Sequence, residues 1–218
     1  MNSWFLTSQT LPRLELPGSD VRFSEELVER LLRSFTKKGE KILDPFAGFG
    51  TTLVVAQRLG RVGVGVEFDE RRVEYVRKLL VPPSQIMHGD SRKLSSFTLP
   101  RCDASLTSPP YMRSFDEENA FSKYEKPGNY ARYLREIKAI YAHVAKTVKK
   151  DGVILVEVSN TFGKGHPMTP LAWDVGKALC EILFLERELI NCAKSPPANG
   201  ANHSHVLVFR NRAPYVGG

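Results

Sequence analysis

The sequence is expected to form an α/β fold: a doubly wound, mainly parallel sheet of about seven strands closed by a C-terminal antiparallel hairpin. Three observations lead there. Short apolar runs rich in β-branched residues alternate with stretches of helical periodicity from residue 24 onward. A glycine turn over residues 44–52 separates the first such run from the helix after it. The last two β-like runs, near 187–192 and 206–210, have no helix between them. Alternation implies right-handed crossovers and helices on both faces of the sheet. Ligands in such sheets bind beyond the carboxyl ends of the strands, near the point where strand order reverses.

Residues 1–22, with Leu11-Pro12 and Leu16-Pro17-Gly18, read as an irregular lead-in. Ser24 followed by Glu25 and Glu26 marks a helix start, and Leu27, Val28, Leu31, Leu32 and Phe35 recur at helical spacing until Gly39. Lys41–Asp44 is a strand, 51–59 a helix, and Val62–Glu67 a buried strand. A helix over 70–80 leads to strands at Ser84–Met87 and Ala104–Leu106. Tyr130–Lys149 is a long amphipathic helix, Val153–Val158 a fifth strand, and Pro170–Leu183 another helix. Pro196-Pro197-Ala198-Asn199-Gly200 joins the last two β segments. One domain is expected over 23–212, with 112–129 as a substrate-side loop and 213–218 as a tail.

A hydrophobic fraction of 42% in 218 residues suits a soluble globular chain, and no apolar run approaches the length of a membrane span. The N-terminus lacks the pattern of a secretory signal, so a cytoplasmic protein with no membrane partner is expected. Cys102, Cys180 and Cys192 have no C-x-x-C spacing and leave an odd number, which argues against a zinc ribbon or a disulfide framework. A net charge of +7 suits a polyanionic partner, because each neutralised phosphate releases counterions. Charge alone does not identify that partner.

Asp44-Pro45-Phe46-Ala47-Gly48-Phe49-Gly50-Thr51-Thr52 follows the first of these strands and opens a helix. It has neither the third spaced glycine of a dinucleotide fingerprint nor the Gly-Lys-Ser/Thr of a phosphate loop. An acid at the strand end suits a ligand carrying an ammonium group better than a phosphate. The stretch resembles the D-P-F-x-G-x-G-T-T motif of the amino-methyltransferases that act on N4 of cytosine or N6 of adenine in nucleic acids. The resemblance implies a Rossmann-like class I methyltransferase fold and S-adenosylmethionine as cofactor. Its methionine portion would be held by Asp44, Pro45, Phe46, Gly48, Gly50, Thr51 and Thr52. By the same resemblance Glu67 would bind the ribose hydroxyls, Asp90 the adenine amine, and Phe23 and Ser24 a further part of the cofactor.

Thr107-Ser108-Pro109-Pro110-Tyr111 follows the fourth of the expected strands. Successive prolines fix φ and present carbonyls without competing N–H donors. The run resembles the S-P-P-Y motif of N4-cytosine methyltransferases, which makes Ser108, Pro109, Pro110 and Tyr111 the catalytic candidates. The amino nitrogen of cytosine is a poor nucleophile because its lone pair is delocalised into the ring. Acceptors at Ser108 Oγ and the Pro109 carbonyl would hold its hydrogens and turn the lone pair toward the methyl donor, a matter of position and electrostatics. Tyr111 would stack on the extruded base. Serine at the first motif position points to cytosine; adenine enzymes usually carry Asp or Asn there.

Arg113 and Lys123, interleaved with aromatics in 112–128, are candidates for phosphate and base contact. Asn160, Asn202 and His203 are candidates to line the base pocket, with Asn160 alternatively a cap for the next turn. His203 and His205 have no cysteine or carboxylate nearby in sequence, so no metal site is expected. Many DNA enzymes of this kind carry a long target-recognition region, and the span from Tyr111 to Lys149 is short and largely helical. The expected reading is N4-cytosine methylation of structured RNA such as ribosomal RNA. A DNA N4-cytosine or N6-adenine modification enzyme, alone or with an accessory subunit, is the alternative. A non-catalytic nucleic-acid-binding subunit is a third reading, opposed by the intact motifs.

Overall fold

Each apolar run of the sequence finds a partner strand in the sheet, and each amphipathic segment lays its apolar stripe across it. The computed structural model describes residues 3–8, 24–121, 127–194 and 202–214. Strand β1 is Trp4–Thr7, helix α1 Glu25–Phe35, β2 Lys41–Asp44, α2 Thr51–Arg58, β3 Val62–Glu67, α3 Glu70–Arg77 and β4 Gln85–His88. A 3-10 turn at Ser91–Ser96 leads to β5 Cys102–Thr107, then α4 Tyr130–Thr147 and β6 Val148–Val158. A small hairpin, β7 Thr161–Gly163 with β8 His166–Thr169, precedes α5 Leu171–Cys180, β9 Phe184–Ala193 and β10 His203–Arg210.

Eight strands form the main sheet in the order β1-β9-β10-β6-β5-β2-β3-β4. Strands β2, β3, β4, β5 and β6 pair in parallel, whereas β10 runs antiparallel to both β6 and β9. The expected doubly wound sheet with its antiparallel C-terminal hairpin is therefore present, with eight strands rather than about seven. The chain steps from β2 outward to β3 and β4, then returns to place β5 on the other side of β2. That reversal opens a crevice at the carboxyl ends of β2 and β5, where a ligand site is expected.

The added strand is β1, which lies inside the segment expected to be irregular. Trp4–Thr7 pairs in parallel with Ile190–Ala193, and Thr7 Oγ1 donates to Asn191 Oδ1 at 2.7 Å. Four residues carry too little alternation to announce a strand; a partner far along the chain makes it one. The β7–β8 hairpin was likewise not expected, because Thr161–Thr169 holds two glycines and a proline and lacks apolar alternation.

Apolar clusters cover both faces of the sheet. Leu27, Val28, Leu31 and Leu32 of α1 pack with Ile42, Leu106, Leu155, Leu189 and Val206 on one face. Tyr133, Ile137, Tyr141 and Val144 of α4 pack with Ile154, Val156, Leu207 and Phe209 on the other. Ser24 caps α1 by accepting from Leu27 N at 3.2 Å. Gly63 allows α2 to lie flush on the sheet, since a Cβ there would sit 2.8 Å from Leu53 Cα. Among the described residues no helix is long and apolar enough to cross a membrane.

The end of α1 is held by a buried cation. Arg61 donates from Nη2 to the Thr36 and Leu32 carbonyls at 2.8 and 3.4 Å, and from Nε to Thr36 Oγ1 at 3.1 Å. Nη1 reaches the Leu59 carbonyl at 2.7 Å. The Leu32 carbonyl also accepts from Thr36 N at 3.0 Å, whereas the Thr36 and Leu59 carbonyls, just past α1 and α2, take Arg61 as their donor. Arg61→Met should strand them and destabilise the fold by about 2–3 kcal/mol, read as a lower urea midpoint at unchanged m-value.

Candidate active site

The glycine turn is built by φ values that side chains resist. Gly48 has φ 54° and Gly50 has φ 78°, and a Cβ on Gly50 would lie 2.6 Å from Val76 Cγ1. The turn is tied down by Ala47 N to the Val66 carbonyl at 2.9 Å and Gly50 N to the Ala47 carbonyl at 2.7 Å. Thr51 begins α2, and the buried Thr52 reaches the Leu106 carbonyl with Oγ1 at 3.5 Å. The aligned turn brings three expected residues into one place. Asp44 ends β2, Gly48 lies above it, and Glu67 ends β3 alongside.

Asp44 is 1% exposed. Its Oδ1 accepts from Phe46 N at 3.0 Å and from Thr107 Oγ1 at 2.5 Å. Burial pushes its carboxyl up to about 6, against the lowering effect of the Thr107, Thr52 and Phe46 hydrogen bonds; the Glu67 charge adds to the rise. These partners are neutral donors, so the buried carboxylate is paired with no cation among the described residues. That donor set fits an ammonium group.

Glu67 accepts from Gly48 N at 2.8 Å on Oε2 and from Asp69 N at 2.9 Å on Oε1. Each oxygen keeps a further lone pair, so the carboxylate can still accept two hydroxyls. Asp90 has partners of its own. It caps the 3-10 turn by accepting from Arg92 N at 2.9 Å, and the Arg92 guanidinium holds both of its oxygens at 2.8–3.1 Å. An amine reaching Asp90 would share it with that cation. The Ser91 hydroxyl donates to the Pro45 carbonyl, which anchors this turn to the glycine loop. Ser24 spends its hydroxyl on the α1 cap, and Phe23 lies outside the described residues.

The proline motif leaves β5 beside β2. Ser108 and Tyr111 are half-buried, Pro109 is buried and Pro110 exposed. Tyr133 Oη donates to the Pro110 carbonyl at 2.8 Å, whereas the Pro109 carbonyl has no hydrogen-bond partner among the described residues. The Tyr111 hydroxyl turns inward: it donates to Glu157 Oε2 at 3.2 Å and accepts from Ser159 N at 3.0 Å. Burial, then the Glu157 charge, hold the phenol well above its usual range.

The substrate-side candidates are more dispersed. Arg113 is tied into its own loop, with Nε 2.8 Å from Asp116 Oδ1 and its guanidinium 4.9 Å from the Phe115 ring centroid. Asn160 Oδ1 accepts from Ala172 N at 2.9 Å, so the carboxamide braces the start of α5, beyond the turn that follows it in the chain. Asn202 Oδ1 and His203 Nδ1 lie 3.0 Å apart, and the Ser159 hydroxyl donates to the His203 carbonyl at 3.4 Å, on the same edge as Tyr111. Lys123 lies outside the described residues. The neighbourhood of His205 does hold a carboxylate, since Glu188 Oε1 on the adjacent strand is 2.6 Å from Nδ1. Among the described residues no group of three metal-ligating side chains gathers.

Two residues of this site were missed in the sequence. Thr107 carries no signal of its own as the residue before the motif, although it joins the motif to Asp44. Glu157 is 6% exposed near the end of β6. An acid within Val153-Ile154-Leu155-Val156-Glu157-Val158 was the available signal, of the same kind that singled out Glu67.

The fold is that of the class I methyltransferases. TrmN from Thermus thermophilus superposes with a TM-score of 0.58 at 18% identity, over 85% of this chain and 47% of that one. A rRNA methylase from Streptococcus thermophilus gives a TM-score of 0.57 at 12% identity, over 88% of this chain and 99% of that one. A model of the N6/N4 methyltransferase family, described as DNA methylase, matches residues 11–78. Type II methyltransferase M2.DpnII from Streptococcus pneumoniae is 48% identical over 56 residues, 26% of this chain and 21% of that protein. Type II methyltransferase M.HpaI from Haemophilus parainfluenzae is 28% identical over 119 residues, 54% of this chain and 36% of that protein. Over residues 11–78, which hold the glycine turn, the chain is thus similar to the N6/N4 methyltransferase family. The aligned stretches span well under two thirds of these curated relatives.

Because the folded Asp44 carboxyl titrates at about 6 instead of 3.8, the fold favours its protonated form. The cost of ionising it is therefore fully present above pH 6 and absent below the unfolded value. Asp44→Asn keeps an oxygen for Phe46 and Thr107. It should raise urea stability at pH 8 by about 3 kcal/mol, a gain that shrinks toward pH 4. The same variant should lose S-adenosylmethionine binding in calorimetry, and wild-type affinity should weaken as pH falls through about 6.

Proposed function

We propose that this chain transfers a methyl group from S-adenosylmethionine to the exocyclic N4 amine of cytosine in a nucleic acid. The observation that carries this reading is the bond from Thr107 Oγ1 to Asp44 Oδ1 at 2.5 Å. It sets the proline motif against the carboxylate of the glycine turn at the strand-order reversal, so methyl donor and amine would meet there. When bound, the cofactor supplies an electrophilic methyl group on a sulfonium. Asp44 would hold its ammonium, Glu67 its ribose hydroxyls, and the turn at Gly48 and Gly50 its close approach to backbone.

The chain's own contribution to the chemistry is orientation. Ser108 Oγ and the Pro109 carbonyl accept the two amine hydrogens, which draws the nitrogen out of conjugation with the ring. The Pro110 carbonyl already accepts from Tyr133, so the Pro109 carbonyl is the one with no partner among the described residues. Tyr111, its ring fixed by the hydroxyl contacts, forms a wall against the extruded base.

Structured RNA is the proposed polymer. The internal connection from Tyr111 to α4 is residues 112–129, too short for a module that reads several base pairs in a groove, while a protruding RNA base can be offered by shape. DNA is the second reading, favoured by the family description over 11–78, a segment that ends before the proline motif.

Incubation with labelled cofactor and total RNA or genomic DNA, then nucleoside mass spectrometry, tests base, atom and polymer together. N4-methylcytidine in RNA is the expected product. N4-methyldeoxycytidine would move the polymer to DNA, N6-methyladenosine would overturn the cytosine assignment, and no transfer would overturn the reaction. Ser108→Ala should lower kcat by about 100-fold. Its cofactor affinity should stay unchanged.

A further inference from the structure

The β7–β8 hairpin has no part in the reaction as described above, yet both of its feet are tied to the proline-motif segment. Ser159, two residues before Thr161, donates its N–H to the Tyr111 hydroxyl at 3.0 Å. At the other foot Thr169 is buried; its Oγ1 accepts from Ser114 N at 3.0 Å and lies 2.9 Å from Ser114 Oγ. Whatever the hairpin binds is therefore held beside Tyr111.

What the hairpin carries is a stack of planar groups. The Phe115 ring comes up against Gly163, where a Cβ would meet Phe115 Cζ at 2.3 Å. His166 of β8 lies along that ring, with centroids 4.0 Å apart and planes 10° from parallel. Arg113 places its guanidinium 4.9 Å from the same Phe115 centroid. Phe115 is half-buried and His166 exposed, and no second ring among the described residues stacks on the imidazole. Phe162 and Trp173, on β7 and in the first turn of α5, are 56% and 58% exposed. Rings gathered in one stretch and left in water mark a surface that something covers.

Charge decides which part of a nucleotide fits. The turn that carries Phe115 has one arginine against Asp116, Glu117 and Glu118, and Asp116 already takes Arg113 Nε at 2.8 Å. That turn does not attract phosphate. The hairpin side holds Lys164 and has no acid from 159 to 173, so a phosphate backbone can pass there. A base offers the imidazole a neutral π face, and the ring spacing of 4.0 Å is close to the step of about 3.4 Å between stacked bases. Extruding a target base also leaves its neighbour without a stacking partner. Resting on the reaction proposed above, we infer that the Phe115–His166 stack is a second subsite, a platform that takes an unpaired base next to the target cytosine.

The test measures the binding of two labelled single strands, an oligocytidine and an abasic oligomer of equal length that keeps the phosphates and lacks the bases. His166→Ala should weaken oligocytidine binding about 10-fold and leave the abasic oligomer unaffected. His166→Phe, which keeps a ring and drops the ring nitrogens, should bind oligocytidine as the wild type does. Both variants should keep the wild-type salt slope, because no phosphate contact is lost. The imidazole is exposed, so both should melt with the wild-type chain. On the nucleic acid that the wild type methylates, His166→Ala should raise KM about 10-fold with little change in kcat. Equal weakening on both oligomers, full oligocytidine affinity in His166→Ala, or no recovery in His166→Phe would overturn the platform and leave the reaction standing. Base-dependent binding of this kind by a wild-type chain that methylates neither RNA nor DNA would overturn the reaction and leave the stacking subsite standing.

Discussion

The hydrogen bond between Thr107 and Asp44 is the point on which the rest of the site depends. It spans the crevice where the strand order reverses and links the ends of β2 and β5, which lie far apart in sequence. One of its partners opens the glycine turn and the other precedes the proline motif. The two motifs therefore hold a common reference position, and their spacing is set by adjacent strands of a parallel sheet rather than by loops. Rigid placement of this kind is what amine methylation asks of a protein that supplies no covalent chemistry of its own.

Three buried acids stand at the same edge of the sheet, Asp44, Glu67 and Glu157, and each is stabilised differently. Backbone N–H groups surround Glu67, neutral hydroxyls and one amide face Asp44, and a single phenol meets Glu157. The less complete the internal compensation, the more such an acid gains from a charged or proton-bearing visitor. At Asp44, whose carboxyl burial holds above its ordinary range, an amide would make a firmer protein, so that position holds stability in reserve for binding.

Much of this was legible in the sequence because it is local. Helices α1, α2 and α4 announce themselves by periodicity, and the two motifs by rigid residue types at strand ends. What escaped depends on partners distant in the chain. Strand β1 exists because Ile190–Ala193 offers an edge to Trp4–Thr7. Thr107 and Glu157 matter through contacts with Asp44 and Tyr111 that no spacing encodes. Asn160 and Ser24 show the converse: polar residues near a site whose side chains are taken up by helix ends, where short polar groups are always in demand. Asp90, whose carboxylate Arg92 already holds, belongs with them in part.

The clamp made by Arg61 has a consequence for how this molecule meets acid and salt. Its acceptors are three carbonyls and one hydroxyl, none of which takes up a proton as the medium acidifies. The neighbouring contacts between α1 and α2 are of another kind, with Arg58 bridging Glu25 and Glu29 at 2.6 and 3.2 Å near the surface. Protonation or ionic screening loosens those outer bridges first. The joint between α1 and the start of β3 stays shut beneath them. The layer that carries the glycine turn is thus fastened by an interaction that neither brine nor vinegar dissolves, behind a fringe that both can.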